Sequence, residues 1–120
     1  MEQYKLGEME QKFADIIWGC EPVTSRRLTE LCAEAFEWKR TTTYTMLKRL
    51  CDRGIFQNNG GTVTSLMSKN EFSAAQGEQF LNENFDGSLP KFLAAFTRRN
   101  KLNEKEIDEI KRLIDEHKEE

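Results

Sequence analysis

The chain has 120 residues, 38% of them apolar and 32% charged, and its 21 acids outnumber its 18 Lys and Arg for a net charge of −3. That length suits one ordinary domain, or a small domain with an accessory element, and excludes two large independent cores. No stretch approaches the roughly 20 consecutive apolar residues of a membrane span, and the opening Met1-Glu2-Gln3-Tyr4-Lys5 lacks the basic-then-apolar layout of a secretory signal, so the expected compartment is the cytoplasm.

Residues 7–19 place Met9, Phe13, Ile16 and Ile17 on one stripe at helical spacing, with Trp18 at its flank and Gly19 and Pro22 marking its end. A second helix is expected from Thr24 or Ser25, with Thr24 as N-cap and Leu28, Leu31 and Cys32 facing inward. Phe36 and Trp38 close the turn into a third helix running from about Lys39 to Arg53, and Gly54 supplies the left-handed residue that ends it. Three short helices in this order form a helix-turn-helix unit.

The third helix concentrates positive charge. Residues 38–54 carry five cations (Lys39, Arg40, Lys48, Arg49 and Arg53) against the single acid Asp52, a local balance of +4 in an acidic chain. Projected at roughly 100° per residue, Thr43, Leu47, Leu50 and Cys51 share one side, while Thr41, Thr42, Thr45, Arg49, Asp52 and Arg53 share the other. One face packs and the other is free to touch a partner. Lys and Arg neutralise phosphates, and short hydroxyl and guanidinium groups reach base edges in the major groove, so the segment reads as a DNA-recognition helix. The expected DNA-binding residues are Lys39, Arg40, Thr41, Thr42, Tyr44, Thr45, Lys48 and Arg49.

Beyond Gly54, Ile55-Phe56-Gln57 and Thr62-Val63-Thr64-Ser65-Leu66-Met67 flank Asn58-Asn59-Gly60-Gly61, a pattern that predicts a β-hairpin turning through the Asn and Gly residues. Three helices plus a hairpin make a winged helix. After Ser68 the sequence turns acidic and helical. Residues 70–85 carry Phe72, Phe80, Leu81 and Phe85; Asp86-Gly87-Ser88 interrupts; residues 89–99 carry Leu89, Phe92, Leu93 and Phe96. A last helix follows Leu102, with Asn103 and Glu106 spaced as a capping box and Ile107, Ile110, Leu113 and Ile114 forming its stripe. Three such helices have little core of their own, so these twelve apolar residues are expected to form a dimer interface. The expected organisation is a winged-helix DNA-binding domain over 1–69 and a helical dimerisation domain over 70–120.

Neither a metal nor a cofactor is expected. Cys20, Cys32 and Cys51 are odd in number and widely spaced, unlike a disulfide framework or a zinc site, and the sole histidine, His117, has no cysteine or second histidine near it. Cys32 and Cys51 fall among helical apolar positions, whereas Cys20, near a helix end, is the more exposed. No nucleophile and base pair, carboxylate pair or glycine-rich phosphate loop marks an enzyme.

These residues resemble those of the BlaI/MecI/CopY penicillinase-repressor family of winged-helix transcriptional repressors, over nearly the whole chain. The resemblance rests on Leu6-Gly7-Glu8 through Ile17-Trp18, on Pro22-Val23-Thr24, on Trp38, Thr42, Thr45, Leu47, Arg49-Leu50 and Gly54, and on Asp86-Gly87-Ser88-Leu89 and Leu102 through Leu113. It implies a mostly α chain that binds a palindromic double-stranded operator as a homodimer through its third helix. The chain departs from the family pattern in three places. Thr43 stands where the family usually has Val or Ile. The wing is short and lacks the family's Arg and Tyr. In the region where the penicillinase branch is cleaved at an Asn-Phe bond, the aligned bond is Ala95-Phe96, and no cysteine follows Cys51 to form the copper branch's metal motif. A module that applies the third helix to an acidic protein is the other use of this shape; the uncharged wing favours it and the five cations weigh against it.

Overall fold

Amphipathic spacing and end signals set most of the elements, and the computed structural model describes residues 4–120. In chain order these are α1 (Glu8–Cys20), β1 (Val23–Thr24), α2 (Ser25–Phe36), α3 (Arg40–Asp52), β2 (Phe56–Asn59), β3 (Thr62–Ser65), α4 (Lys69–Asn84), α5 (Leu89–Arg99) and α6 (Glu104–Lys118). The chain forms two compact units, the first ending at Gln79 and the second running from Phe80 to Glu120.

The first unit is a winged helix. Phe13, Ala14 and Ile17 of α1, Leu28 and Cys32 of α2, Leu47 and Leu50 of α3, and Ile55, Phe56 and Val63 around the sheet make one core. Met9, expected on the α1 stripe, is exposed, because the first turn of α1 reaches past the core that Phe13 and Ile17 fill. Thr24 caps α2 by accepting a hydrogen bond from the Arg27 N–H at 3.0 Å. Gly54, at φ +80°, provides the positive φ that ends α3.

The wing is larger than a hairpin. A third strand joins it, giving the antiparallel order β1-β3-β2 with Val23 opposite Val63 and Thr24 opposite Thr62. Two residues are too few to show an alternation, so β1 left no periodic trace. The turn is also tighter than expected: Asn58 and Asn59 belong to β2, and Gly60 and Gly61 alone turn the chain at φ +60° and +97°. Positive φ at both central residues matches the right-handed twist of the flanking strands. The Asn58 side chain steadies the turn by accepting from the Gly61 N–H at 3.0 Å.

Polar bonds tie the wing to the helices. The Glu21 carboxylate, just past α1, accepts from the Ser65 N–H at 2.7 Å and from its hydroxyl at 2.7 and 2.8 Å. The Trp18 indole N–H donates to the Met67 carbonyl at 3.1 Å. Phe72, grouped with the dimer stripe by sequence, is instead 1% exposed in this unit's core. Its ring lies 5.5 Å from Trp18 and 5.9 Å from Tyr4, and the Gln76 side chain donates to the Tyr4 carbonyl at 2.9 Å. The start of α4 is thereby fastened to the winged helix, which a one-dimensional apolar stripe cannot reveal.

The second unit has well-formed ends and almost no interior. Ser88 caps α5 through the Lys91 N–H at 3.1 Å, and Asn103 and Glu106 exchange both capping-box bonds at 2.8 and 3.2 Å. Phe80, Phe85, Phe92 and Phe96 form a chain of ring contacts with centroids 5.5–6.1 Å apart. Yet no residue of α5 or α6 is fully buried, and Phe80 is 48% and Leu113 61% exposed. No helix among the described residues is long and apolar enough to cross a membrane.

Truncating a core aromatic typically costs about 3–5 kcal/mol. Phe72→Ala should therefore lower the stability of the first unit by about that much in urea unfolding followed by tryptophan fluorescence, since both Trp18 and Trp38 lie in that unit. An unchanged midpoint would remove Phe72 from the core.

Candidate nucleic-acid interface

The third helix is placed by its apolar side. Thr43, Leu47 and Leu50 are buried, and Trp38, half-buried just before the helix, packs 4.9 Å from Phe36 and 5.7 Å from Phe13. Glu37, at φ +58°, turns the chain sharply between α2 and α3. With the inner side so held, Arg40, Thr41, Thr42, Tyr44, Thr45, Lys48 and Arg49 are all exposed on α3, and Lys39 is exposed immediately before it. Every expected DNA-binding residue thus lies exposed on α3 or at its N-cap.

The charges on this helix differ in their surroundings. Lys39 and Arg40 stand at its N-terminus, whose first turn contains no acid and whose N-cap has no side-chain acceptor. The positive end of the helix dipole disfavours cations there, so the arrangement is costly in isolation and suited to an anion. Lys48 pairs with Asp52 at 3.1 Å. Arg49 and Arg53 both approach Glu10 of α1, at 3.5 and 3.8 Å. Sequence reasoning missed Glu10, because its meeting with α3 depends on how two helices pack and no local pattern encodes that.

Beside this face, Tyr44, Leu47, Lys48 and Cys51 of α3 and Asn58 of β2 line an open groove of about 280 Å³. Burial pushes the Cys51 thiol above its ordinary range, with Asp52 adding to the effect and Lys48 opposing it. Burial likewise raises Cys32. Cys20 is exposed. The wing contributes no Lys or Arg between Arg53 and Lys69. Its polar side chains are partly committed internally, Asn58 to the turn and Thr64 to Gln57 at 3.1 Å.

Among the expected dimer residues, Phe80, Leu89, Phe96, Ile107, Leu113 and Ile114 are exposed, and Leu81, Phe85, Phe92, Leu93 and Ile110 are half-buried. No group of three His, Cys, Asp or Glu placed to hold a metal occurs among the described residues.

The sequence profile described as penicillinase repressor matches residues 6–116. The chain belongs to the penicillinase repressor family. The penicillinase repressor of Bacillus licheniformis is 23% identical over 118 residues, covering 95% of this chain and 92% of that protein. The penicillinase repressor of Staphylococcus aureus is 22% identical over 119 residues, covering 96% and 94%. The family match runs through both compact units, covering α5 and all but the last residues of α6.

Thr43 is the weak point under the α3 surface. It is fully buried, and its hydroxyl oxygen makes no hydrogen bond. It lies near enough to Cys32 to oppose, in part, the rise that burial imposes on that thiol, but short of hydrogen-bond geometry at Oγ1. A buried hydroxyl without a partner costs about 1–3 kcal/mol. Thr43→Val has nearly the same shape and removes it, so it should raise the stability of the first unit by about 1 kcal/mol, read as a higher urea midpoint at unchanged slope. A lower midpoint would show that the hydroxyl has a partner in solution.

Proposed function

We propose that this chain is a bacterial transcriptional repressor that binds a palindromic operator as a homodimer, with α3 of each subunit in successive major grooves. The observation that carries this reading is the single exposed face of α3. It gathers Thr41, Thr42, Thr45, Tyr44 and four cations, two of them at a helix N-terminus with no acid beside them. Like charges gathered on one helix repel one another, whereas a polyanion turns the same concentration into several phosphate contacts. Membership of a repressor family supports the same reading.

Thr42 and Thr45 are assigned to base edges or thymine methyl groups, and Arg49 and Thr41 to phosphate or base. Lys39, Arg40, Tyr44 and Lys48 flank them on the backbone. The wing, uncharged and internally bonded, adds little. The dimer is assigned to the second unit, because no residue of α5 or α6 is fully buried and Phe80, Leu89, Phe96, Leu113 and Ile114 stay exposed, while Phe72 is withdrawn into the first unit. Such a repressor acts in the cytoplasm, where the DNA is.

Contacts of different kinds fail differently. Thr45→Ala should cost ~1–3 kcal/mol on a selected operator and nothing on random duplex, whereas Lys39→Ala should weaken both alike and flatten the salt slope by about one unit. Fluorescence anisotropy across a salt series reads both. Equal losses for Thr45→Ala on the two duplexes would remove its base-reading role. Wild-type binding to no duplex at low salt would favour an acidic protein as the partner of α3.

A further inference from the structure

Glu10 sits where an acid is not obviously wanted, against the end of the basic helix. Its side chain is only 15% exposed. One carboxylate oxygen accepts from the Gly7 N–H at 2.8 Å, closing the first turn of α1, and the other faces the guanidinium groups of Arg49 at 3.5 Å and Arg53 at 3.8 Å. Arg53 is further fixed by donating to the Lys5 carbonyl at 2.9 Å. Arg49 and Arg53 are four residues apart, a spacing at which like charges on a helix repel. A carboxylate between them relieves that repulsion and stands at the positive end of the α1 dipole, which favours it.

The two arginines are not equally committed. The Arg49 side chain is 52% exposed and meets Glu10 through one nitrogen, whereas that of Arg53 is 28% exposed and also bonded to backbone. A guanidinium carries five N–H donors in a rigid planar fork, so holding one corner orients the rest. An unheld Arg samples many rotamers and must be ordered when it binds.

We propose that Glu10 is the positioning residue for Arg49: half-buried on α1 and fixed by the Gly7 cap, it holds one corner of the Arg49 guanidinium so that the remaining N–H groups face DNA in a preset geometry. The same carboxylate cancels one of the two arginine charges, which lowers indiscriminate attraction to phosphate and leaves the oriented contact. Glu10 thereby raises discrimination between operator and other DNA without touching DNA itself. This rests on the DNA-binding reading above.

The test uses the full-length chain, a duplex that the wild type selects from a random-sequence library, and a random duplex of equal length. Glu10→Gln keeps an oxygen for the Gly7 cap and removes the charge. It should lower the ratio of operator to random affinity by about tenfold and steepen the salt slope by about one unit. Glu10→Asp keeps the charge and falls short of Arg49, so it should lower the ratio and leave the slope unchanged. It also carries the test if the Gln variant fails to fold by tryptophan fluorescence. In an Arg49→Ala background neither substitution should move the ratio by as much as twofold. Wild-type discrimination with an unchanged ratio in both variants would overturn the proposal and leave Glu10 a helix cap. A loss of discrimination that persists in the Arg49→Ala background would also overturn it. A wild type that discriminates no duplex at all would overturn the DNA-binding reading, and this inference with it.

Discussion

Burial of the inner face of α3 is the constraint on which the rest depends. Leu47 and Leu50 share one core with Phe13 and Ile17 of α1, Leu28 of α2 and the sheet residues Phe56 and Val63. A helix has no freedom to roll once such side chains are enclosed at the packing density of a protein interior. The orientation of the outer face follows. Thr42, Thr45 and Lys48 are exposed because Thr43, Leu47 and Leu50 are not. The aromatic contacts of Trp38 with Phe36 and Phe13 fix the same helix at its start.

Electrostatics then separates this helix from the body that carries it. The whole chain is acidic, with a net charge of −3, yet residues 38–54 carry a balance of +4 that is displayed on the exposed side of a rigidly held helix. Net acidity discourages adhesion to DNA in general, and a local cationic face restores attraction over short range, within a Debye length of about 8 Å at physiological salt. Glu10 belongs to the same economy of charge, meeting Arg49 and Arg53 where α1 and α3 pack. In the proposed dimer the second unit would supply what a single α3 helix lacks, because two half-sites bound through one linked dimer gain effective concentration.

Much of this was legible in the sequence where the governing signal is local. Thr24, Gly54, Asn103 and Glu106 act at the helix ends as their chemistry dictates, since caps depend on neighbours three or four residues away. The exposed face of α3 was legible for the same reason, through helical periodicity. What escaped depends on tertiary partners. Strand β1 exists because Val23 and Thr24 find Val63 and Thr62 across the sheet. The side chain of Asn58 bonds a turn whose strands had to pair first, which drew the asparagines into β2. Phe72 looks like its neighbours Phe80 and Phe85 in any apolar count, and only its packing with Trp18 and Tyr4 tells them apart. Glu10 is one acid among many until α1 meets α3.

The central claim is that two copies of α3, linked by the second unit, read one symmetric site. Its most direct measurement is selection of duplexes from a random library by the full chain, followed by hydroxyl-radical footprinting of the enriched sequence. The account predicts an inverted repeat protected on one face of the duplex, with half-site centres a helical turn, about 34–36 Å, or a multiple of it apart. An enriched site without two-fold symmetry, protected as one patch, would contradict it, as would the absence of any enrichment.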